Sequence, residues 1–426
     1  MRKLILLFII ITSCLGVSAQ DLTYAKEVVK TLSSPEFKGR GYVGNGHKIA
    51  AKYIGKQYAE IGLKSFGKNY FQPFEINANT FPSKMELKLN GEELTPGEDY
   101  IIDPKSASVK GEFPVVVIRE KDLLNKSKLA DVVRNSSGKV VIIDETNSEI
   151  TDSEDKKTIK EVVDYLKFSP EVPSVATIIY TDKKLTWSGS TSQKPKTSFI
   201  VNKKLNLKSI SEVSVNVKAK FIRCETNNVV GYVEGTEKPD SFLVVLGHYD
   251  HLGKMGSKMY IPGANDNASG ISMLLSLAKY YKENPHKYSI VFIALGAEEM
   301  GILGAKYYVK NPLFDLDRIR FLVNFDMAGT GDEGIKVVNG TVFRKEFDLL
   351  NELNEQNNYI HSVNIRGESC NSDHCMFYQQ GVPSFFIYTM GGIQAYHDIY
   401  DRFETLPFTA FEGYSELMIN FFDTFE

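Results

Sequence analysis

The chain has 426 residues, enough for two or three domains or for one large domain that carries an insertion. Its 42 % hydrophobic and 12 % aromatic content suffices for packed cores and argues against a disordered chain. A formal net charge of −3 gives no electrostatic reason to expect nucleic acid or an anionic membrane as a partner.

Residues 1–19 have the layout of a signal peptide. Arg2 and Lys3 precede an apolar stretch from Leu4 to Ile11, and Val17-Ser18-Ala19 offers a small-residue cleavage site before Gln20. The alternative is lipoprotein processing at Cys14, because Ile11-Thr12-Ser13-Cys14 resembles a lipobox. Either route exports the chain, to the periplasm, the medium or a lipid anchor at the cell surface. The apolar stretch is too short for a membrane span, and nothing later reads as one.

Leu22, Ala25, Val28, Val29 and Leu32 keep helical spacing, as do Ile49, Tyr53, Ile54, Tyr58 and Ile61. Between them, Gly39, Gly41, Gly44 and Gly46 punctuate a loop; no strand precedes it and no Lys-Ser/Thr follows, so a phosphate cradle is not expected. From 85 to 215 short apolar or alternating runs are separated by turn residues, with one helix expected near 156–167. Lys183, Lys184, Lys203 and Lys204 read there as a solvated face.

After 225, strands at 242–246, 290–295, 321–325 and 384–388 alternate with helices at 268–282, 299–309, 344–356 and 409–422. The expected fold class is therefore α/β, a mostly parallel mixed sheet with helices on both faces. Residues 20–84 begin this domain and 216–426 complete it, while 85–215 form a β-rich insert.

Polar residues collect where the apolar runs stop, the position at which open α/β sheets place their ligand crevice. They are His248 and Asp250 in FLVVLGHYDH, Asp266 in GANDNASG, Glu298 and Glu299 after IVFIALGA, Asp326 after FLVNF, and His397 in AYHDIYD. Each has an ordinary explanation on its own: a loop histidine, an N-cap aspartate, two acids in the first turn of a helix. Together they form a carboxylate cluster that burial would make very costly without a divalent cation. The mixed N/O donor set suits zinc. No His-Glu-x-x-His and no Gly-x-Ser-x-Gly occurs, which argues against a helix-borne single-zinc protease and a serine nucleophile. Cys370 and Cys375 can close a tight loop in an oxidising compartment, leaving Cys224 as a small buried hydrophobe; the alternative is that all three stay reduced.

On these motifs the chain resembles the co-catalytic di-zinc aminopeptidases, the exopeptidase family that also contains glutamate carboxypeptidases and glutaminyl cyclases. The resemblance spans 242–251, 263–270, 294–304, 321–329, 372–383 and 395–406, together with PEFKGRGYVGNGHKIAAKYIGKQYAEIGL near the N-terminus. It implies two zinc ions per chain, one held by His248 and Asp326, the other by Glu299 and His397, with Asp266 as the bridge. It further implies Glu298 as general base, Asp250 as the carboxylate behind His248, and Asp373 and His374 on the substrate side. The insert resembles a protease-associated domain. The implied activity is hydrolysis of the N-terminal residue of peptides. Related alternatives are a single-zinc glutaminyl cyclase, a carboxypeptidase using Arg366 or Arg402, and a non-catalytic binding relative.

Overall fold

A computed structural model describes residues 22–425. The expected signal segment and Cys14 lie outside these residues. The first helix, α1 (Leu22–Leu32), buries Ala25, Val28, Val29 and Leu32 completely, and α2 (Gly46–Ile61) ends at Gly62. There φ is +83° and the amide bonds back to Tyr58, a left-handed stop that favours glycine.

One eight-stranded sheet forms the frame of the candidate site. Its strands are β1 (Phe71–Thr80), β2 (Lys220–Val233), β3 (Lys238–His248), β4 (Tyr288–Leu295), β5 (Ile319–Phe325), β6 (Ile335–Val338), β7 (Val363–Ile365) and β8 (Ser384–Thr389). Across the sheet they run β1-β2-β4-β3-β5-β8-β6-β7. The central four, β4-β3-β5-β8, are parallel, and antiparallel pairs β1-β2, β2-β4 and β6-β8 lie outside them. Side chains alternate between two cores, as strand geometry requires. On β3, Leu243 and Val245 face one core and Phe242, Val244 and Leu246 the other. The first core receives α1, α2, α3 (Gly270–Glu283), α5 (Arg344–Asn357) and α7 (Phe411–Asp423). Tyr308 of α4 (Leu303–Lys310) and Phe377 of α6 (His374–Tyr378) enter the second. Helices thus cover both faces.

Between β1 and β2 the chain builds a second eight-stranded sheet from Glu86–Leu89 through Glu212–Val217. It carries two helices, Lys126–Asn135 and Ser153–Phe168, where the sequence suggested one. Each begins on a capping side chain, Asn125 and Asp152 respectively. Its core is not closed on itself: Leu252, Met255, Met259, Ile261 and Ile399 pack into it from the first unit. The strands β1 and β2 were not visible as such, because FQPFEINANT and KFIRCETNNVVGYV mix apolar residues with Asn, Thr, Glu and Lys.

Candidate metal centre

Three neighbouring parallel strands deliver their carboxyl ends to one place. His248 ends β3, Glu298 and Glu299 follow β4 after two residues, and Asp326 follows β5 directly. Asp266 comes from the turn before α3, and His397 from the long loop after β8.

Their donor atoms converge in two groups that share Asp266. His248 Nε2 lies 3.4 Å from Asp266 Oδ1 and 3.5 Å from Asp326 Oδ1. His397 Nε2 lies 3.0 Å from the other oxygen, Asp266 Oδ2, and 3.2 Å from Glu299 Oε2. A lone carboxylate thus turns one oxygen to each histidine. His248, Asp266 and Asp326 form one triad able to hold a metal ion, and His251, Asp266 and Glu299 form the other. Buried carboxylates this close repel one another, so the acids fit a cation far better than they fit one another.

The adjacent glutamates sit in unlike surroundings. Burial raises Glu298 well above the usual range, and Asp373, Glu299 and Asp326 push it the same way against the pull of His248. Glu299 meets the same burial, yet His397 and His251 hold it well below its ordinary value. The pair does not open a helix, contrary to the 299–309 expectation: α4 starts at Leu303. The Asp250 carboxylate explains the delay, since it accepts the amides of Glu298 at 3.0 Å and Glu299 at 3.3 Å and holds them in a turn. Its oxygen lies 3.8 Å from His248 Nδ1, whereas the Asp250 backbone carbonyl lies at 3.2 Å. The Asp250 carboxylate thus stays beside His248, its main-chain carbonyl makes the closer contact, and the carboxylate also orders the glutamate turn.

Asp266 is not an N-cap: the side chain that accepts an amide at the start of α3 is that of Asn267, from Gly270. The abundance of Asn and Ser in its loop has another use. Asn267 Oδ1 accepts the amides of Gly270 and Met327, Asn265 Oδ1 accepts that of Gly329, and Ser269 Oγ accepts that of Ala328. These bonds tie the loop to the exit of β5, so Asp266 and Asp326 are set by one network. Gly263 turns the chain into it at φ +62°, where a Cβ would also collide with the Asp266 carbonyl.

Asp373 is fully buried with neither oxygen hydrogen-bonded among the described residues, and burial pushes it up to about 8. His248, Asp250 and Asp326 are its charged neighbours, so it faces the cluster. His374 does not: its Nε2 meets the Ser369 carbonyl at 2.9 Å and its ring lies against Phe386. The short helix that starts there turns successive residues to different sides. Cys370 and Cys375 are joined by a disulfide, and Cys224 is free and half-buried.

Four contributors escaped the sequence. His251 is fully buried, with Nδ1 at 2.7 Å from Glu299 Oε1 and Nε2 without a hydrogen bond among the described residues. Its signal was present as the last residue of HYDH. Arg40, also fully buried, donates to the carbonyls of Leu32, Tyr249, Pro262, Gly263 and Asp266. The Asp401 carboxylate accepts the amides of Asn265 and Asp266 at 2.8 and 2.9 Å. Ser372 donates to Asp326 Oδ2 at 3.2 Å. Nothing local in the sequence marks these three as partners of the cluster.

The model of Peptidase family M28 matches residues 228–422. Aminopeptidase YwaD of Bacillus subtilis (strain 168) is 33 % identical over 189 residues, which cover 41 % of this chain and 37 % of that protein. A protein described as "probable leucine aminopeptidase 2", from Aspergillus oryzae, is 26 % identical over 321 residues, 71 % of this chain and 58 % of its own length. These matches span less than two thirds of either relative. The structure of BSAP, a zinc aminopeptidase from Bacillus subtilis, superposes with a TM-score of 0.68 at 20 % identity, over 95 % of both chains. It shares the fold.

Proposed function

We propose, from the match of residues 228–422 to the model of Peptidase family M28, that this chain is a two-zinc aminopeptidase that releases the N-terminal residue of peptides. The observation that carries the proposal is the Asp266 carboxylate, with one oxygen toward His248 and the other toward His397. In this reading His248 and Asp326 hold one zinc, Glu299 and His397 the other, and Asp266 serves both. His397 is preferred to His251 because its Nε2 meets Asp266 and Glu299 together, while the ion pair of His251 is with Glu299. When bound, the zinc ions would polarise the scissile carbonyl and make water acidic enough to lose a proton near neutral pH.

Glu298 is the general base: its carboxylate takes the proton of the attacking water and returns it to the leaving amine. Asp250 positions it through the backbone amide. Asp373 supplies an unpaired buried carboxylate on the substrate side, and the acidic surroundings favour a free α-amino group over a blocked one. No observation favours the carboxypeptidase reading, because the candidate anchors have other partners. Arg366 donates to the Tyr388 hydroxyl and Arg402 to the Ile399 carbonyl. The segment 1–19 is proposed as an export signal. Among the described residues no helix is long and apolar enough to cross a membrane.

A panel of aminoacyl, N-blocked and N-glutaminyl substrates, run beside elemental analysis, tests the reading. Cleavage of free-amino substrates by protein holding about two zinc ions per chain is expected. Full activity with one zinc, or cyclisation of N-glutaminyl substrates alone, would replace it with the cyclase reading.

A further inference from the structure

We propose that Trp187 and Lys184 of the second unit are positioning residues for His397, which makes that unit a working part of the metal centre. The inference rests on the two-zinc reading above.

His397 has φ +53°, a left-handed backbone that a non-glycine residue keeps only where its surroundings enforce it. The enforcement comes from a reciprocal pair of contacts with Trp187. The Trp187 amide donates to the His397 carbonyl at 2.9 Å, and His397 Nδ1 lies 3.0 Å from the Trp187 carbonyl. A carbonyl only accepts, so the second contact needs the proton on Nδ1. In the neutral ring that leaves the lone pair on Nε2, the atom facing Asp266 and Glu299, which is the tautomer a metal-binding imidazole requires.

Trp187 is itself fixed from the second sheet. Its ring is buried, and the indole N–H donates at 2.8 Å to the carbonyl of Ile102, the last residue of strand Tyr100–Ile102. Three residues earlier, Lys184 straps the same loop. Its ammonium lies 2.6 Å from Asp398 Oδ2, a carboxylate with only 4 % of its side chain exposed. It also donates to the carbonyls of Gln394 at 2.6 Å and Tyr396 at 3.3 Å, so it grips the chain on both sides of His397. Lys184 is thus no member of a merely solvated face. Two residues past Trp187, a Cβ built on Gly189 would press on the Met300 sulfur and come within 3.2 Å of the Glu299 carbonyl. The segment therefore lies against both Glu299 and His397, the ligands of one zinc.

The test is zinc titration of the full-length chain, stripped with chelator, against a competing chromophoric chelator. Wild type should take up two ions. Lys184→Met should weaken one of them by ~10- to 100-fold, the usual cost of losing an outer partner of a metal ligand, and leave the other within a few-fold. Lys184→Arg, which keeps the charge and the strap, should restore most of the loss. Trp187→Phe keeps the ring but drops the bond to Ile102, and should weaken the same ion to a smaller degree. Equal weakening of both ions, or no weakening of either, overturns the positioning role, since a general loss of stability would not choose between sites. A wild type that binds one zinc overturns the two-zinc reading instead, and that result precedes any variant.

Discussion

Glu298 and Glu299 carry the same side chain on adjacent residues, and only their neighbours divide the work. Glu299 faces two imidazoles, whereas Glu298 faces carboxylates and one histidine. Glu298→Gln keeps size and hydrogen bonding but cannot take up a proton, so kcat should fall ~10²- to 10⁴-fold with zinc content intact. Glu299→Gln should lower zinc occupancy, with activity partly restored by added metal. The reverse pattern would exchange the two roles. The sequence marked both glutamates but could not rank the histidines near them. His251 lies three residues past His248, and which imidazole reaches the shared carboxylates depends on a loop 146 residues downstream. His397→Ala should therefore cost more zinc affinity than His251→Ala, for which a loss of ~10-fold is expected. Equal losses in a zinc titration would make His251 a direct ligand.

At the level of elements, the helices and the central strands were legible because burial imposes a period on them. The α3 and α5 assignments fall within two residues of the expected ends, and β4 and β5 begin two residues earlier than expected. What the sequence hid were elements whose order comes from distant partners. The turn at 263–270 is an example: its backbone is held by Arg40, 226 residues from Asp266, and by Asp401, 135 residues on the other side. Arg40 appears in the sequence only as one cation within a glycine-rich loop, and a guanidinium bonded to five carbonyls has no local signature. Arg40→Met should leave several buried carbonyls unpaired, each costing about 1–3 kcal/mol. A loss of at least ~3 kcal/mol in denaturant unfolding is expected, and under the proposed bridging by Asp266 both zinc ions should weaken together. Selective loss of one ion would show that Arg40 holds the loop without setting the bridge.

Across the whole molecule, the two sheets share apolar packing as well as the Trp187–His397 contact. Leu252, Met255, Met259, Ile261 and Ile399 of the first unit sit in the core of the second, and Met255 Sδ accepts the amide of Ile102 at 3.3 Å. Separate domains joined only by linkers would unfold separately; a shared core couples them. In the proposed reading zinc adds to that coupling, because it binds the folded chain and its donors come from the ends of β3, β4 and β5, the turn before α3 and the loop after β8. Each site saturated at a hundred times its Kd stabilises the fold by about 2.7 kcal/mol. Chelation removes that and leaves Asp266, Glu299 and Asp326 close together in a buried cluster. Calorimetry should accordingly show one main transition for the zinc-loaded protein, moved down by several degrees as a unit when zinc is withdrawn. Two resolved transitions, of which chelator moves only one, would show that the second unit folds independently of the centre it touches.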